Sequence, residues 1–428
     1  MMTMSKSLGG GQAKAYYQTE YTNARESYYT ESDALTGEWA GTLAGEWGLA
    51  GAVDKEQFER LIDGQDPHSG EVLIKHVSSR RQTNKYGDEI ETTEHRAGWD
   101  ATFSAPKTVS IAALVGGDER LRAAHRESVD AALKELEKHT QARLGGNNPS
   151  FTTAKFIAAK FEHDASRPDR ATGYAAPQLH THAVIFNMTQ TESGRVRSVQ
   201  PLELYRSQQL ATAIYRTHLA EKLQELGYEI EVDARTGAPE IKGFSREYIA
   251  ANSPRRKEIL HEAQEMKERL EGEGYSIREG AGLLQAAAKT DRASKTHDRA
   301  EILRRHQEMD AAHGYQARAV TRQAIERGSR ERGQDEIAKR AQEAVTFARD
   351  NATEREAVSD MRRVFADALR RGVGLTTYEA IQAELRTREE RGEFVRFKRQ
   401  DHSVEATTSR MLALEKANIQ TVIDGRGG

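Results

Sequence analysis

The 428-residue chain contains no cysteine. That absence excludes disulfides and thiolate metal sites, and it fits a cytosolic protein. No G-x-x-x-x-G-K-[ST] segment occurs, so the chain carries no P-loop of its own. No stretch stays apolar for the length a bilayer demands. The opening MMTMSKSLGGGQAKAYY lacks the apolar core of a secretory signal. Aromatic residues make up only 7% of the chain, and the net charge is only -3. No global electrostatic excess announces nucleic acid, so any such surface must be a local basic patch.

What is abundant is charge of both signs, at 30% of residues. The length allows two or three domains. The first half reads as mixed α and β. TLAGEWGLAG and DKEQFERLID predict short helices. AGWDATFSAPKTVSIAALVG predicts a strand, a break at Pro106, then an apolar helix or strand. Leu121, Ala124, Val129, Leu133 and Leu136 recur at helical spacing, and Gly145 and Gly146 end that helix. FTTAKFIAAKFEHD and QLHTHAVIFNMTQ predict two strands, and the polar, Pro- and Gly-marked connection favours an antiparallel hairpin. LELYRSQQLATAIYRTHLAEKLQELG predicts a long amphipathic helix, and YEIEVDARTGAPEIKGF a further hairpin. After about residue 250 Arg, Glu, Lys, Ala and Gln dominate, which suits a solvated helical extension better than a second large core.

Side chains alternate faces along a strand, so His180 and His182 point the same way. In an antiparallel hairpin His163 could lie opposite that pair. Three imidazoles would then converge with positions left open, the pattern of a catalytic metal rather than a closed structural one. Imidazole softness favours zinc, nickel or copper. Near the N-terminus, Tyr16, Tyr17, Tyr21, Tyr28 and Tyr29 fall close together. A tyrosine can attack a phosphodiester and hold the product covalently. A phenol is only about a thousandth ionised at neutral pH, so it needs an electrophilic aid such as a metal. Most of the five are packed aromatics or base-stacking platforms; one or two at most are nucleophiles. Lys107, Thr108 and the basic residues of KHVSSRRQTNKYG and SPRRKEI are candidate phosphate contacts.

Taken together these residues resemble the MobF class of conjugative relaxases, which are TraI/TrwC-like. The paired tyrosines Tyr16-Tyr17 and Tyr28-Tyr29, the segment DATFSAPKT from Asp100 to Thr108, and His163 with HTH from His180 to His182 carry the resemblance, over roughly residues 1 to 300. SRMLALEKANI is similar to the segment that precedes the helicase domain of long relaxases. The resemblance implies an α+β two-layer sandwich with a central antiparallel sheet, the palm-like fold of HUH nucleases, over residues 1–300. Residues 301–428 would be a charged helical linker leading towards an absent helicase. It implies nicking of one strand at a transfer origin by tyrosine transesterification, a 5′-phosphotyrosine link, and rejoining after transfer. Tyr16 maps to the primary nucleophile, with Tyr17 in the same pair and Tyr28 the candidate for the second step. Asp100 maps to the acidic residue beside the metal-binding His163, His180 and His182. The implied ion is magnesium or manganese. The implied partners are single-stranded DNA and a hairpin at the origin, accessory proteins of the relaxosome and a type IV secretion coupling protein, with no membrane insertion. The implied location is the bacterial cytoplasm, with passage into a recipient cell. The rival readings are a rolling-circle replication initiator, a DNA-binding module whose metal is structural, and a metallohydrolase using activated water.

Overall fold

The computed structural model describes residues 1–11, 14, 37–74, 77–83, 89–145, 148–276, 281–287, 298–329, 332–354, 356–398 and 404–425. Seven strands form its central sheet: β1 Met2–Met4, β2 Leu8–Gly9, β3 Glu38–Ala40, β4 Val77–Thr83, β5 Glu89–Ser104, β6 Ala158–Ala165 and β7 Pro177–Phe186. The order is β1-β5-β7-β6-β3, with β2 and β4 on other stretches of β5, and every pairing is antiparallel. The expected hairpin of the two histidine strands is therefore β6–β7.

Alternation along the strands divides the sheet into two faces. Trp99, Ala101 and Phe103 of β5 and Leu179, Ala183 and Ile185 of β7 enter the larger core. That core is roofed by helices α4 (Glu119–Glu137) and α5 (Gln208–Glu225). The other face has a smaller cover from α1 (Thr42–Glu46) and α2 (Lys55–Ile62), where Leu43, Phe58 and Ile62 pack on Phe161, Val184 and Phe186. Phe58 meets Phe161 and Phe186 edge-on at 5.8 and 5.1 Å. This cap covers one end of β6 and β7 and leaves the other end of the same face to polar residues.

Local chemistry fixes the element ends. Pro106 caps α3 (Lys107–Leu114), because its ring cannot continue β5 yet its fixed φ can precede a helix. Asp54 and Asp118 accept from backbone N–H groups at the starts of α2 and α4. Helix α4 ends at Glu137, before Gly145, because Gln141–Arg143 forms a short strand with Ser150–Thr152. The predicted long helix at 202–227 is split into Leu202–Arg206 and α5, which ends at Glu225. The predicted hairpin pairs Ile230–Val232 with Pro239–Ile241.

The charged half differs from a solvated extension. Its helices include α6 (Pro254–Gly272), α7 (Arg299–Ala312), α8 (Gln316–Arg327), α9 (Gln334–Thr353), α10 (Met361–Gly372), α11 (Tyr378–Glu390) and α12 (Ser409–Gly425), with a small sheet of β8 (Ser359–Asp360), β9 (Phe394–Lys398) and β10 (Val404–Thr408) in the order β8-β10-β9. Helix α9 buries Ile337, Ala341, Ala344, Val345, Ala348 and Ala352 on one stripe, and α10 buries Val364, Ala368 and Leu369. These side chains, except Ile337, belong to the same hydrophobic cluster as the sheet and α5. Alanine stripes let helices approach closely, so the core continues where large apolar residues thin out. Helix α12 buries none of its residues.

Candidate active site

Register brings the histidines together. In β6–β7 His163 lies opposite His180, and Phe161 opposite His182. In β5–β7 Thr102 lies opposite His182, and Ser104 opposite His180. The three imidazoles stand on the uncapped end of the sheet. Their centroids are 5.2 Å apart for His163–His180, 5.3 Å for His163–His182 and 5.1 Å for His180–His182.

Two of the rings have their tautomers set by neighbours. The Nδ1–H of His182 donates to Asp100 Oδ2 at 2.8 Å. The Nδ1–H of His180 donates to the Gln178 carbonyl at 2.8 Å. Each Nε2 is then left with its lone pair, the form a metal needs. Among the described residues no set of three or more His, Asp or Glu side chains already has its ligating atoms arranged round a metal ion. The ring spacing is nonetheless the right one. Three imidazoles bound at about 2.1 Å to one tetrahedral ion have centroids roughly 5 Å apart. Three imidazole donors, with no fourth ligand beside them among the described residues, fit a divalent ion that keeps positions for substrate oxygens.

Asp100 is held from three sides. Its backbone N–H donates to Ser5 Oγ at 2.9 Å, and its carbonyl accepts from Ser5 N at 2.8 Å. Its Oδ2 also accepts from the Thr102 hydroxyl at 3.2 Å. Its Oδ1 is buried and accepts no hydrogen bond among the described residues.

The opposite face of the histidine strands carries a second polar layer that sequence reasoning did not single out. Thr181, between His180 and His182, bonds to His125 Nε2 at 2.9 Å, and His125 Nδ1 bonds to Tyr215 Oη at 2.8 Å. All three side chains are buried. Burial, with the N-terminal amine and the nearby Arg126 and Arg122, lowers the His125 pKa to about 3, so the ring is neutral. Burial likewise raises the Tyr215 phenol well above its ordinary range. Glu162, beside His163, accepts from Arg122 Nη1 at 2.6 Å and Arg126 Nε at 2.9 Å. A histidine at position 125 inside a helix with apolar neighbours was the available clue.

Other expected contacts fall elsewhere. Thr108 is buried, donates to Glu240 Oε2 at 2.5 Å and accepts from Ile241 N at 2.8 Å, so it holds α3 to a hairpin rather than a phosphate. Lys107 Nζ donates to the Pro177 carbonyl at 2.7 Å, at the start of β7. Burial lowers its pKa to about 8, opposed by Glu240. Arg255 pairs with Glu258 at 2.8 Å. Within KHVSSRRQTNKYG the backbone of 77–83 is strand β4, and its side chains lie outside the described residues. Tyr16, Tyr17, Tyr21, Tyr28 and Tyr29 lie outside the described residues as well. Among the described residues no helix is long and apolar enough to cross a membrane.

The sheet, its helical roof and the histidine face define an α+β protein of the relaxase class. Within that class the chain belongs to the TrwC relaxase family, whose model matches residues 10–314. It is 33% identical over 279 residues to the multifunctional conjugation protein TraI of Escherichia coli strain K12, covering 63% of this chain. The match spans 14% of the length of that curated relative. Among solved structures it is similar to the conjugative relaxase TrwC in complex with oriT DNA and copper, with 29% identity and a TM-score of 0.59 over 73% of this chain and 99% of that one. A metal-bound TrwC–oriT complex gives 30% identity and a TM-score of 0.58, and a metal-free one 29% and 0.57, each over the same shares. The resemblance to MobF relaxases and the α+β sheet fold expected from it are both borne out.

Proposed function

We propose that this chain nicks one DNA strand at a transfer origin of a conjugative element and later rejoins it. The observation that carries the reading is the convergence of His163, His180 and His182 on one open face, with Asp100 behind His182. In this reading His163, His180 and His182 hold a divalent ion, magnesium or manganese in the cell, although the nitrogen donors would also accept zinc, nickel or copper. Bound there, the ion would polarise the scissile phosphate and offset the charge that develops on it. Asp100 fixes the His182 tautomer and keeps the ring pointed at the ion. Tyr16 attacks through Oη; its bond to phosphorus forms as the P–O3′ bond breaks. The Tyr16 phenol gives up its proton as the bond forms, the departing 3′ oxygen takes one up, and the 5′ phosphate stays on the tyrosine. Tyr17 stands in the same pair, and Tyr28 serves the second strand transfer. Reversal by an incoming 3′-hydroxyl reseals the strand.

The partners we infer are a hairpin and single strand at the origin, relaxosome accessory proteins and a type IV coupling protein. The setting is the bacterial cytoplasm, with passage into the recipient on the DNA. Residues 1–300 would be the nicking unit and 301–428 the link towards a helicase.

The test mixes the chain with single-stranded fragments tiling its own genetic neighbourhood, with and without EDTA. The expected result is a metal-dependent, SDS-resistant adduct that maps to Tyr16 and is lost in Tyr16→Phe. Cleavage without an adduct would instead indicate activated water. Binding without cleavage on a tile holding the origin would leave only a DNA-binding module.

A further inference from the structure

We propose that Thr102 is a positioning residue that locks the Asp100 carboxylate onto His182. The inference rests on the reading of His163, His180 and His182 as metal ligands. Thr102 is the direct cross-strand neighbour of His182. Its Oγ1 lies 3.2 Å from Asp100 Oδ2 and 3.2 Å from His182 Nδ1, while those two atoms are 2.8 Å apart. The three polar atoms therefore form a closed triangle. The His182 Nδ1–H and the Thr102 O–H both donate to Asp100 Oδ2, and the hydroxyl oxygen sits beside the imidazole proton as a weaker second acceptor.

Ser5 already fixes the Asp100 backbone, which leaves rotation of the carboxylate about its own bonds as the remaining freedom. The Thr102 hydroxyl removes it. β-Branching restricts χ1, so the hydroxyl is delivered to this point at little entropic cost. A threonine in a strand is ordinary, and strand preference alone would explain the residue type. It would not explain why the hydroxyl meets both members of one functional pair. Ser104, next on the same face, has no such bond among the described residues. Orientation of a metal-bound imidazole by its outer partner commonly changes metal affinity ten- to a hundredfold, and Thr102 acts on that partner.

The experiment uses the full chain, cobalt(II) as the probe and three variants. Thr102→Val keeps shape and loses the hydroxyl; Thr102→Ser keeps the hydroxyl; Ser104→Ala is the same-face control. Cobalt affinity is read by chelator competition and from the visible absorption of the bound ion. The expected result is about tenfold weaker binding with an altered spectrum in Thr102→Val, and values within about twofold of the parent in the other two. Metal-free ¹⁵N-histidine NMR supplies a second reading. The His182 Nδ1–H resonance should persist in the parent and in Thr102→Ser, and broaden by exchange in Thr102→Val. Thr102→Ala takes the place of the valine variant if that chain does not fold. Unchanged affinity and an unchanged resonance in the hydroxyl-free variant would overturn the role of Thr102 alone. A parent chain that binds no cobalt would overturn the metal-ligand reading, and the inference with it.

Discussion

His125 sits where a large apolar side chain would ordinarily go, yet both its nitrogens are bonded, to Thr181 and Tyr215. The fold holds the ring neutral, with a pKa near 3, whereas the unfolded chain protonates it at the ordinary value near 6.5. Its contribution to stability is therefore complete above about pH 6.5 and is lost as pH falls from there towards 3, at up to about 1.4 kcal/mol per pH unit. His125→Gln should show a shallower decline of unfolding free energy between pH 6 and 4, measured by urea titration at each pH. Identical slopes would mean that the ring is not held neutral. This residue also marks a limit of reading from sequence. His163, His180 and His182 were legible because strand alternation and hairpin pairing are local rules. His125 bonds across 56 residues to Thr181 and 90 to Tyr215, and nothing local announces either partner.

At the scale of elements, the β5–β7 pair sets the site, because its register puts Asp100 and Thr102 beside His182. The pair closes tightly at Gly98. A Cβ there would lie 2.0 Å from the Ile185 carbonyl oxygen. A main-chain atom inside a sheet cannot step aside, so Gly98→Ala must separate the strands or break the ladder. We expect a loss of about 3 kcal/mol or more, with cobalt binding impaired in whatever remains folded. Chemical denaturation measures the first and chelator competition the second; a variant as stable as the parent would show that the approach relaxes freely. The strand and the Pro106 break were readable from AGWDATFSAPKTVSIAALVG, whereas the uniformly apolar run after it left helix and strand both open until the structure showed α3. The cap of α1 and α2 on the histidine face was not, because short helices carry no record of which face they cover.

Across the whole molecule, composition misleads most after residue 250. Charge counts describe the outer faces of α9 and α10, while their alanine stripes join the main core. The two parts are also stitched by polar contacts. Thr217 donates to the Leu369 carbonyl at 3.3 Å, Gln224 to that of Gly374 at 3.0 Å, and Arg362 to Glu203 at 2.5 Å. A chain ending at residue 329 should keep its cobalt site. Its thermal midpoint should fall by on the order of 5–10 °C, because α5 loses its cover and Glu203 keeps Arg206 but loses Arg362. Calorimetry of the two chains decides this, and an unchanged midpoint would make the later helices independent of the sheet.

The loop that joins β6 to β7 is gripped from far along the chain. Arg305 Nη1 donates to the Gly173 carbonyl at 2.9 Å, and His306 Nε2 donates to that of Ala175 at 2.8 Å, across 131 residues. A ribosome adds about 5 to 20 residues each second. The second histidine strand, which ends at Phe186, is thus synthesised roughly 6 to 24 s before the helix residues that hold its connection are made. During that interval the nascent chain has its three imidazoles but lacks the two bonds that hold the connection between their strands, so the order of synthesis leaves that loop ungripped until the later helix is made.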